Sequence, residues 1–213
     1  MKIEIWSDIA CPFCYIGRRH LELALDNLPF KDDVSIEWRS FQLDPSAPAD
    51  GAQKAVEMLA SKYGMSKEQA AASQAQVSER AAEVGLEMRE DGGFVTNTKD
   101  AHRLTHLAAE HGLADELSGA LFAAHFGTGS NVGNRDVLRD LAREVGLPAE
   151  ETEQVLSGDR YAAEVEADQR QAQAFGAQGV PFFVIDRKYG ISGAQPVEAF
   201  EKALTESWEE SRQ

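Results

Sequence analysis

Strand-like patterning occurs only near the two ends of this chain, and that distribution limits the possible folds more than any other feature. Residues 2–6 set Ile3 and Ile5 among polar neighbours, and Val34-Ser35-Ile36-Glu37-Trp38-Arg39 alternates apolar and polar. Between them, a helix over 12–28 carries Cys14, Gly17, Leu21, Ala24, Leu25 and Leu28 along one side, and Pro29 ends it. Strand, helix and strand this close together form a βαβ unit, which normally means parallel strands and a right-handed crossover. Strand character returns only at Val180-Pro181-Phe182-Phe183-Val184-Ile185-Asp186 and at Tyr189-Gly190-Ile191-Ser192, joined by a tight turn. A last helix follows Pro196, through Val197, Phe200, Leu204 and Trp208.

The middle reads as helices alone. Asp44-Pro45-Ser46-Ala47-Pro48-Ala49-Asp50-Gly51 is a turn-rich linker, and a helix is predicted over 159–175. Four helix ends share one form, at Gly64-Met65, Gly85-Leu86, Gly112-Leu113 and Gly146-Leu147, where a glycine takes the left-handed position and the next apolar residue packs back. Ser66 with Gln69 reads as a capping box, and Asn134 as a cap. The expected division is 1–43 and 159–213 as two parts of one α/β unit, with 44–158 as a helical insertion.

Charge separates the same pieces. The chain carries 21 basic and 36 acidic residues, a net of −15, which argues against nucleic acid and against anionic membranes as partners. Residues 1–43 hold 5 basic and 7 acidic side chains, 44–158 hold 10 and 19, and 159–213 hold 6 and 10. Most of the negative charge thus lies in the helical middle. Glu4 and Asp8 interrupt any secretory apolar run, and no stretch approaches a membrane span, so a soluble, cytoplasmic protein is expected.

Only two cysteines occur, Cys11 and Cys14, in Cys11-Pro12-Phe13-Cys14 at the junction of the first strand and helix. Cysteines at i and i+3 of a helix start come within disulfide range. Cys11 stands at the helix N-terminus, where the dipole and unpaired N–H groups favour a thiolate, and Pro12 suits the first turn. Cys14, one turn in, is more shielded. The asymmetry assigns attack to Cys11 and resolution of the mixed disulfide to Cys14. A zinc reading would enlist His102 and His106, but 87 residues separate Cys14 from His102, against about 12–15 in the compact zinc pattern. No metal site is expected. Val180-Pro181 opens a strand with a residue that cannot donate to the ladder; by pattern alone a trans proline at the strand start is favoured.

These segments resemble the thioredoxin superfamily, and more closely the DsbA family in its FrnE-like branch. The resemblance rests on Trp6-Ser7-Asp8-Ile9-Ala10-Cys11-Pro12-Phe13-Cys14-Tyr15-Ile16-Gly17, on Asn97-Thr98 with Ala101-His102-Arg103-Leu104, and on Gly176 through Pro181 followed by Gly193-Ala194-Gln195. It spans essentially the whole chain. It implies a thioredoxin fold split by a helical insertion, a cis Pro181 against the cysteines, and a Val180 backbone that pairs with an extended substrate segment. It implies thiol–disulfide exchange on a thiol- or disulfide-containing protein or small molecule, with no bound cofactor beyond a Cys11–Cys14 disulfide and with glutathione as a conceivable co-substrate. Kappa-class glutathione transferases and chromene-carboxylate isomerases share the architecture with serine at the first cysteine position, which supplies a second reading, a glutathione-dependent isomerase or transferase. A third treats the insertion as a binding module and the cysteines as inert.

Other residues divide between site and core. Many thioredoxin-like enzymes carry a buried acid six residues before the first cysteine; that position here is Ile5. Asp8 is nearer, and a turn or capping role is favoured for it. His102 and Arg103 are candidates to line a substrate cleft, with a satisfied core role equally open for His102. Phe13 is expected on the surface between the cysteines, as the first group a substrate meets. Arg18 reads as a solvated helix-face residue, His20, His106, His111 and His125 as ordinary helix residues, and Phe122, Phe126 and Trp208 as core.

Overall fold

The computed structural model describes residues 1–49, 51 and 53–212. The chain begins with β1 (Lys2–Ser7), α1 (Pro12–Asp26) and β2 (Ser35–Ser40). The helical middle follows as α2 (Ala55–Tyr63), α3 (Lys67–Glu83), α4 (Lys99–Glu110), α5 (Ala114–Phe122), α6 (Arg135–Glu144) and α7 (Ala149–Ser157). Then come α8 (Ala162–Ala174), β3 (Phe182–Ile185), β4 (Tyr189–Ser192) and α9 (Val197–Ser211). The sheet order is β2-β1-β3-β4, with β1 parallel to β2 and antiparallel to β3, and β3 antiparallel to β4. This is a thioredoxin fold whose sheet is assembled from both ends of the chain.

Alternation along β1 decides what lies on each side of the sheet. Ile3 and Ile5 pair with Ile185 and Phe183 and face one core with Leu21, Ala24, Phe200 and Leu204 of α1 and α9. Trp6 pairs with Phe182 and faces the other way, against Ala172 of α8, and its indole N–H donates to the Asp168 carbonyl at 2.8 Å. Glu4 points the same way as Trp6. It is buried and held by Arg39 (2.7 Å) and by Arg187 (2.8 Å), while Arg39 also reaches Asp168 at 3.2 Å. A buried carboxylate survives here because two guanidinium groups replace its water.

The insertion shares the larger core. Leu104 and Leu107 of α4, Leu117 and Leu121 of α5, Leu138 of α6 and Val155 of α7 are buried in one continuous cluster with Ile5, Cys14 and Tyr15. The four glycine-ended helices close as expected: each glycine has φ between 64° and 91°, and the N–H of the next residue returns to the last turn, as Leu113 does to the Ala108 carbonyl at 2.8 Å. Ser66 and Gln69 form the capping box, and Asn134 caps α6.

Some boundaries differ from expectation. The helix predicted over 159–175 begins at Ala162, because Tyr161, its N-cap, takes a left-handed φ of 65° that a residue within a right-handed helix does not adopt. The strand predicted over 180–186 is confined to Phe182–Ile185, with Pro181 outside the ladder. The Val180–Pro181 bond is cis, overturning the trans form favoured by pattern and matching what the family resemblance implied. A π-helical segment, Ala123–Thr128, continues α5 without a sequence signal. Asp50 of the expected linker, and Ala52 just after it, lie outside the described residues. Among the described residues no helix is long and apolar enough to cross a membrane.

Candidate active site

Cys11 is the N-cap of α1, with extended backbone angles, and its carbonyl accepts the Cys14 N–H at 3.0 Å. Pro12 fills the first helical position, where no N–H is needed. The turn before the helix is tied by the Cys11 N–H to the Asp8 carbonyl at 3.0 Å. Both cysteines are buried, Cys14 the more completely, so the expected difference in shielding is present.

Their environments pull the two thiols apart. A hydrogen bond from Cys14 holds the Cys11 thiol below its ordinary value of 9.0; burial opposes this, and the backbone N–H groups of Cys14 and Phe13 add to it. Burial pushes the Cys14 thiol well above 9.0, reinforced by its neighbour Cys11. One sulfur is therefore the easier to ionise. The Cys11 sulfur lies 3.7 Å from the Val180 carbonyl oxygen, which sets the cis Val180–Pro181 peptide directly against it.

Close approach of α1 to that peptide depends on Gly17. A Cβ there would stand 3.0 Å from Cγ of Pro181, 3.3 Å from the Phe183 ring and 3.4 Å from the Ala194 backbone. Phe13, 40% exposed, projects between the cysteines as expected. Val180 is half-buried beside them, and among the described residues nothing accepts its backbone N–H.

Asp8 is the residue the sequence reading underrated. It does cap its own turn, accepting the Ala10 N–H at 3.3 Å, but it is also buried and accepts the Leu43 N–H at 2.7 Å. Its own N–H points at the Cys14 sulfur, 3.5 Å away. His102 brings Nε2 to 3.4 Å from Oδ1 of Asp8. Burial would raise the Asp8 carboxyl; the neighbouring His102 and the Leu43 N–H outweigh it and hold the group below 3.8. Ile5, at the position where a buried acid would stand, is a core residue paired with Phe183. The signal for Asp8 was its place three residues before Cys11, which by itself does not separate a capping carboxylate from a buried one.

His102 and Arg103, candidates for the lining of a cleft, part company. His102 turns to Asp8. Arg103 is almost completely buried, and its guanidinium donates to the carbonyls of Arg160 (2.8 Å), Gly158 (2.8 Å) and Val155 and to Asp100 (2.8 Å). With four of its five N–H donors engaged inside the protein, Arg103 ties the end of α7 to α4. Arg18 also departs from a solvated reading: it reaches Glu22 at 2.7 Å and Asp115 at 2.9 Å, and its Nε is buried. His106 pairs with Asp168 at 3.1 Å. His125, in the π-helical segment, is buried rather than ordinary, and desolvation lowers its ring to about 4 against the opposing pull of Asp8. Among the described residues no three His, Cys, Asp or Glu side chains gather so as to hold a metal ion.

A two-cysteine helix start set directly against a cis-proline peptide, on a β2-β1-β3-β4 sheet, makes this a thioredoxin-like protein. The DSBA-like thioredoxin domain matches residues 2–205, and the chain belongs to that family. Among solved structures, a probable DsbA oxidoreductase from Streptomyces coelicolor is 47% identical, covering 99% of this chain and 91% of that one, with a TM-score of 0.93. A 2-hydroxychromene-2-carboxylate isomerase superposes over 100% of this chain and 98% of that one at a TM-score of 0.73 with 16% identity. The cytosolic disulfide reductase DsbM from Pseudomonas aeruginosa, with GSH, superposes over 98% of this chain and 100% of that one at 0.64 with 18% identity. The last two share the fold.

Proposed function

We propose that this chain is a thiol–disulfide oxidoreductase working through a Cys11–Cys14 dithiol/disulfide couple. The observation that carries the reading is the opposed state of the two thiols. Cys11 is the more acidic, at a helix N-cap beside the Val180 carbonyl, and Cys14 is the more basic and shielded. The Cys11 thiolate attacks a substrate disulfide and forms a mixed disulfide; Cys14 then attacks the Cys11 sulfur and releases the reduced substrate. Run backwards, the oxidised pair delivers a disulfide to a dithiol. Val180 offers its N–H to an extended substrate segment beside Pro181, and Phe13 supplies an apolar contact at the rim. A thiol- or disulfide-containing protein or small molecule is the substrate class. Glutathione is a fitting co-substrate, since DsbM carries GSH on the same fold, and we assign the same cytosolic setting.

The test is reduction of a model disulfide and refolding of a scrambled disulfide protein. Cys11→Ser is expected to lose both activities, and full retention of both would overturn the mechanism. The chromene-carboxylate isomerase likeness supports a second reading on fold alone. That reading requires glutathione-dependent turnover that survives Cys14→Ser, whereas a dithiol couple does not survive it.

A further inference from the structure

The turn between β4 and α9, Ser192 to Pro196, buries no side chain, so apolar packing does not fix where it lies. Hydrogen bonds do. Gly193, at a left-handed φ of 79°, donates its N–H to the Pro181 carbonyl at 2.8 Å. The Gln195 N–H returns to the Gly193 carbonyl at 2.9 Å, and its side-chain amide donates to the Ser192 carbonyl at 2.8 Å. Among the described residues one hydrogen bond leaves this turn for α1: Nδ1 of His20 lies 2.7 Å from the Gln195 carbonyl oxygen. A carbonyl only accepts, so Nδ1 carries the hydrogen and His20 donates. His20, by pattern an ordinary helix residue, is thus the polar link from the helix that starts at Cys11 to the turn that holds Pro181.

The link stands on the face of α1 that meets Pro181. Phe13, Gly17 and His20 follow one another at spacings of four and three, which stacks them along one side of the helix. Phe13 lies at the exposed rim beside Cys11, Gly17 meets the Pro181 ring and the Ala194 backbone, and His20 reaches Gln195. Pro181 lies outside the β3 ladder and has no N–H, so sheet pairing does not hold it. It is held instead from two sides. Gly17 stands against its ring, and its carbonyl is bound by a turn that His20 anchors. A substrate strand paired with Val180 bears on this peptide, whereas a small disulfide meets only the Cys11 sulfur.

We infer that His20 and Gln195 are positioning residues of the redox site. Their hydrogen bond latches the turn that carries Pro181 to α1, and so aligns a strand docked on Val180 with the Cys11 sulfur. The inference rests on the dithiol reading above. It gives the pair a part in favouring extended polypeptide disulfides over small ones, exerted through Pro181 and without contact with the reacting sulfurs.

Two disulfides with the same coloured leaving group test this by stopped flow on the reduced protein. One is 5,5′-dithiobis-(2-nitrobenzoic acid); the other is an extended peptide whose cysteine carries 2-nitro-5-thiobenzoate. His20→Leu should slow the peptide reaction about threefold to tenfold, the worth of one neutral hydrogen bond. The rate with the small disulfide and the alkylation of Cys11 should stay at parent values. His20→Asn, which keeps an N–H donor where Nδ1 stands, should restore the peptide rate. Should His20→Leu not fold, Gln195→Met, which loosens the turn by freeing the Ser192 carbonyl, is read in the same way. A parent peptide rate in the variant overturns the latch. Equal slowing with both disulfides also overturns it, since that marks damage at Cys11 itself. Release of one equivalent of coloured thiolate by the parent protein, where a dithiol releases two, overturns the dithiol reading instead.

Discussion

Gly17 and Pro181 touch across the two halves of the fold: a Cβ on the glycine would come within 3.0 Å of the proline Cγ. That distance is tighter than most real Cβ contacts, so a neighbour must give by a few tenths of an ångström. Phe183 and the Ala194 backbone stand close on the other sides. Gly17→Ala therefore forces α1 away from the Val180–Pro181 peptide. Overpacking of this kind costs about 1–3 kcal/mol. Thermal unfolding should show a lowered Tm, and the reaction of Cys11 with a model disulfide should slow because the Val180 carbonyl no longer sits against its sulfur. An unchanged Tm together with an unchanged rate would refute the contact.

Alkylation should distinguish the two thiols. Iodoacetamide followed by mass spectrometry is expected to label Cys11 first, with a midpoint below 9.0, and to leave Cys14 unlabelled until well above it. Asp8 opposes ionisation of Cys11 through its charge. Asp8→Asn keeps an oxygen for the Leu43 N–H while removing that charge, so the Cys11 midpoint should move further down. A midpoint that rises would show that Asp8 acts on Cys11 by some other means.

His125 makes stability depend on pH. Its folded value is depressed to about 4 from 6.5 by burial, so between those values the unfolded chain binds the proton and the native state does not. Stability is full above 6.5 and falls as pH drops through 4, by about 3 kcal/mol over that window. Asp8, held below 3.8, has the same sign and adds its loss at still lower pH. Urea unfolding between pH 7 and pH 4 should show this slope, and His125→Gln should flatten it. An equal slope in the variant would exclude His125 as the cause.

Arg103→Met should destabilise without touching the thiol chemistry. It strands the carbonyls of Val155, Gly158 and Arg160, which the guanidinium now satisfies, and Asp100 keeps Arg135 at 2.9 Å. The expected loss is about 3 kcal/mol in urea unfolding, with the Cys11 alkylation rate retained. A slowed alkylation with unchanged stability would return Arg103 to the substrate cleft.

How far the sequence carried the reading varies with the range of the interaction. Cys11, Pro12 and Cys14 were placed correctly because a helix start is local: the residues that define it are neighbours in the chain. The glycine-ended helices and the Ser66–Gln69 box were legible for the same reason. Asp8 and His102 were not paired in advance, since 94 positions separate them and each had another sound role, Asp8 as a cap and His102 in a cleft or the core. The packing of Arg103 was not legible because the carbonyls it meets lie at the end of α7 and on the turn after it, over 50 residues away, and a short motif around an arginine says nothing of which carbonyls it will meet. The left-handed Tyr161 and the π-helical turn around His125 had no periodic signature.

By itself, then, the sequence determined the βαβ–helices–ββα order and the dithiol at the first helix, because hydrophobic period, caps and cysteine spacing act over a few residues. Only the tertiary structure decided what surrounds those sulfurs. The Val180 carbonyl comes to Cys11 from 169 positions away, and α4 delivers His102 to Asp8. Burial, which sets Cys14 above Cys11, exists only once the insertion closes over α1. Desolvation and long-range contact are properties of the packed chain, and no local pattern encodes them.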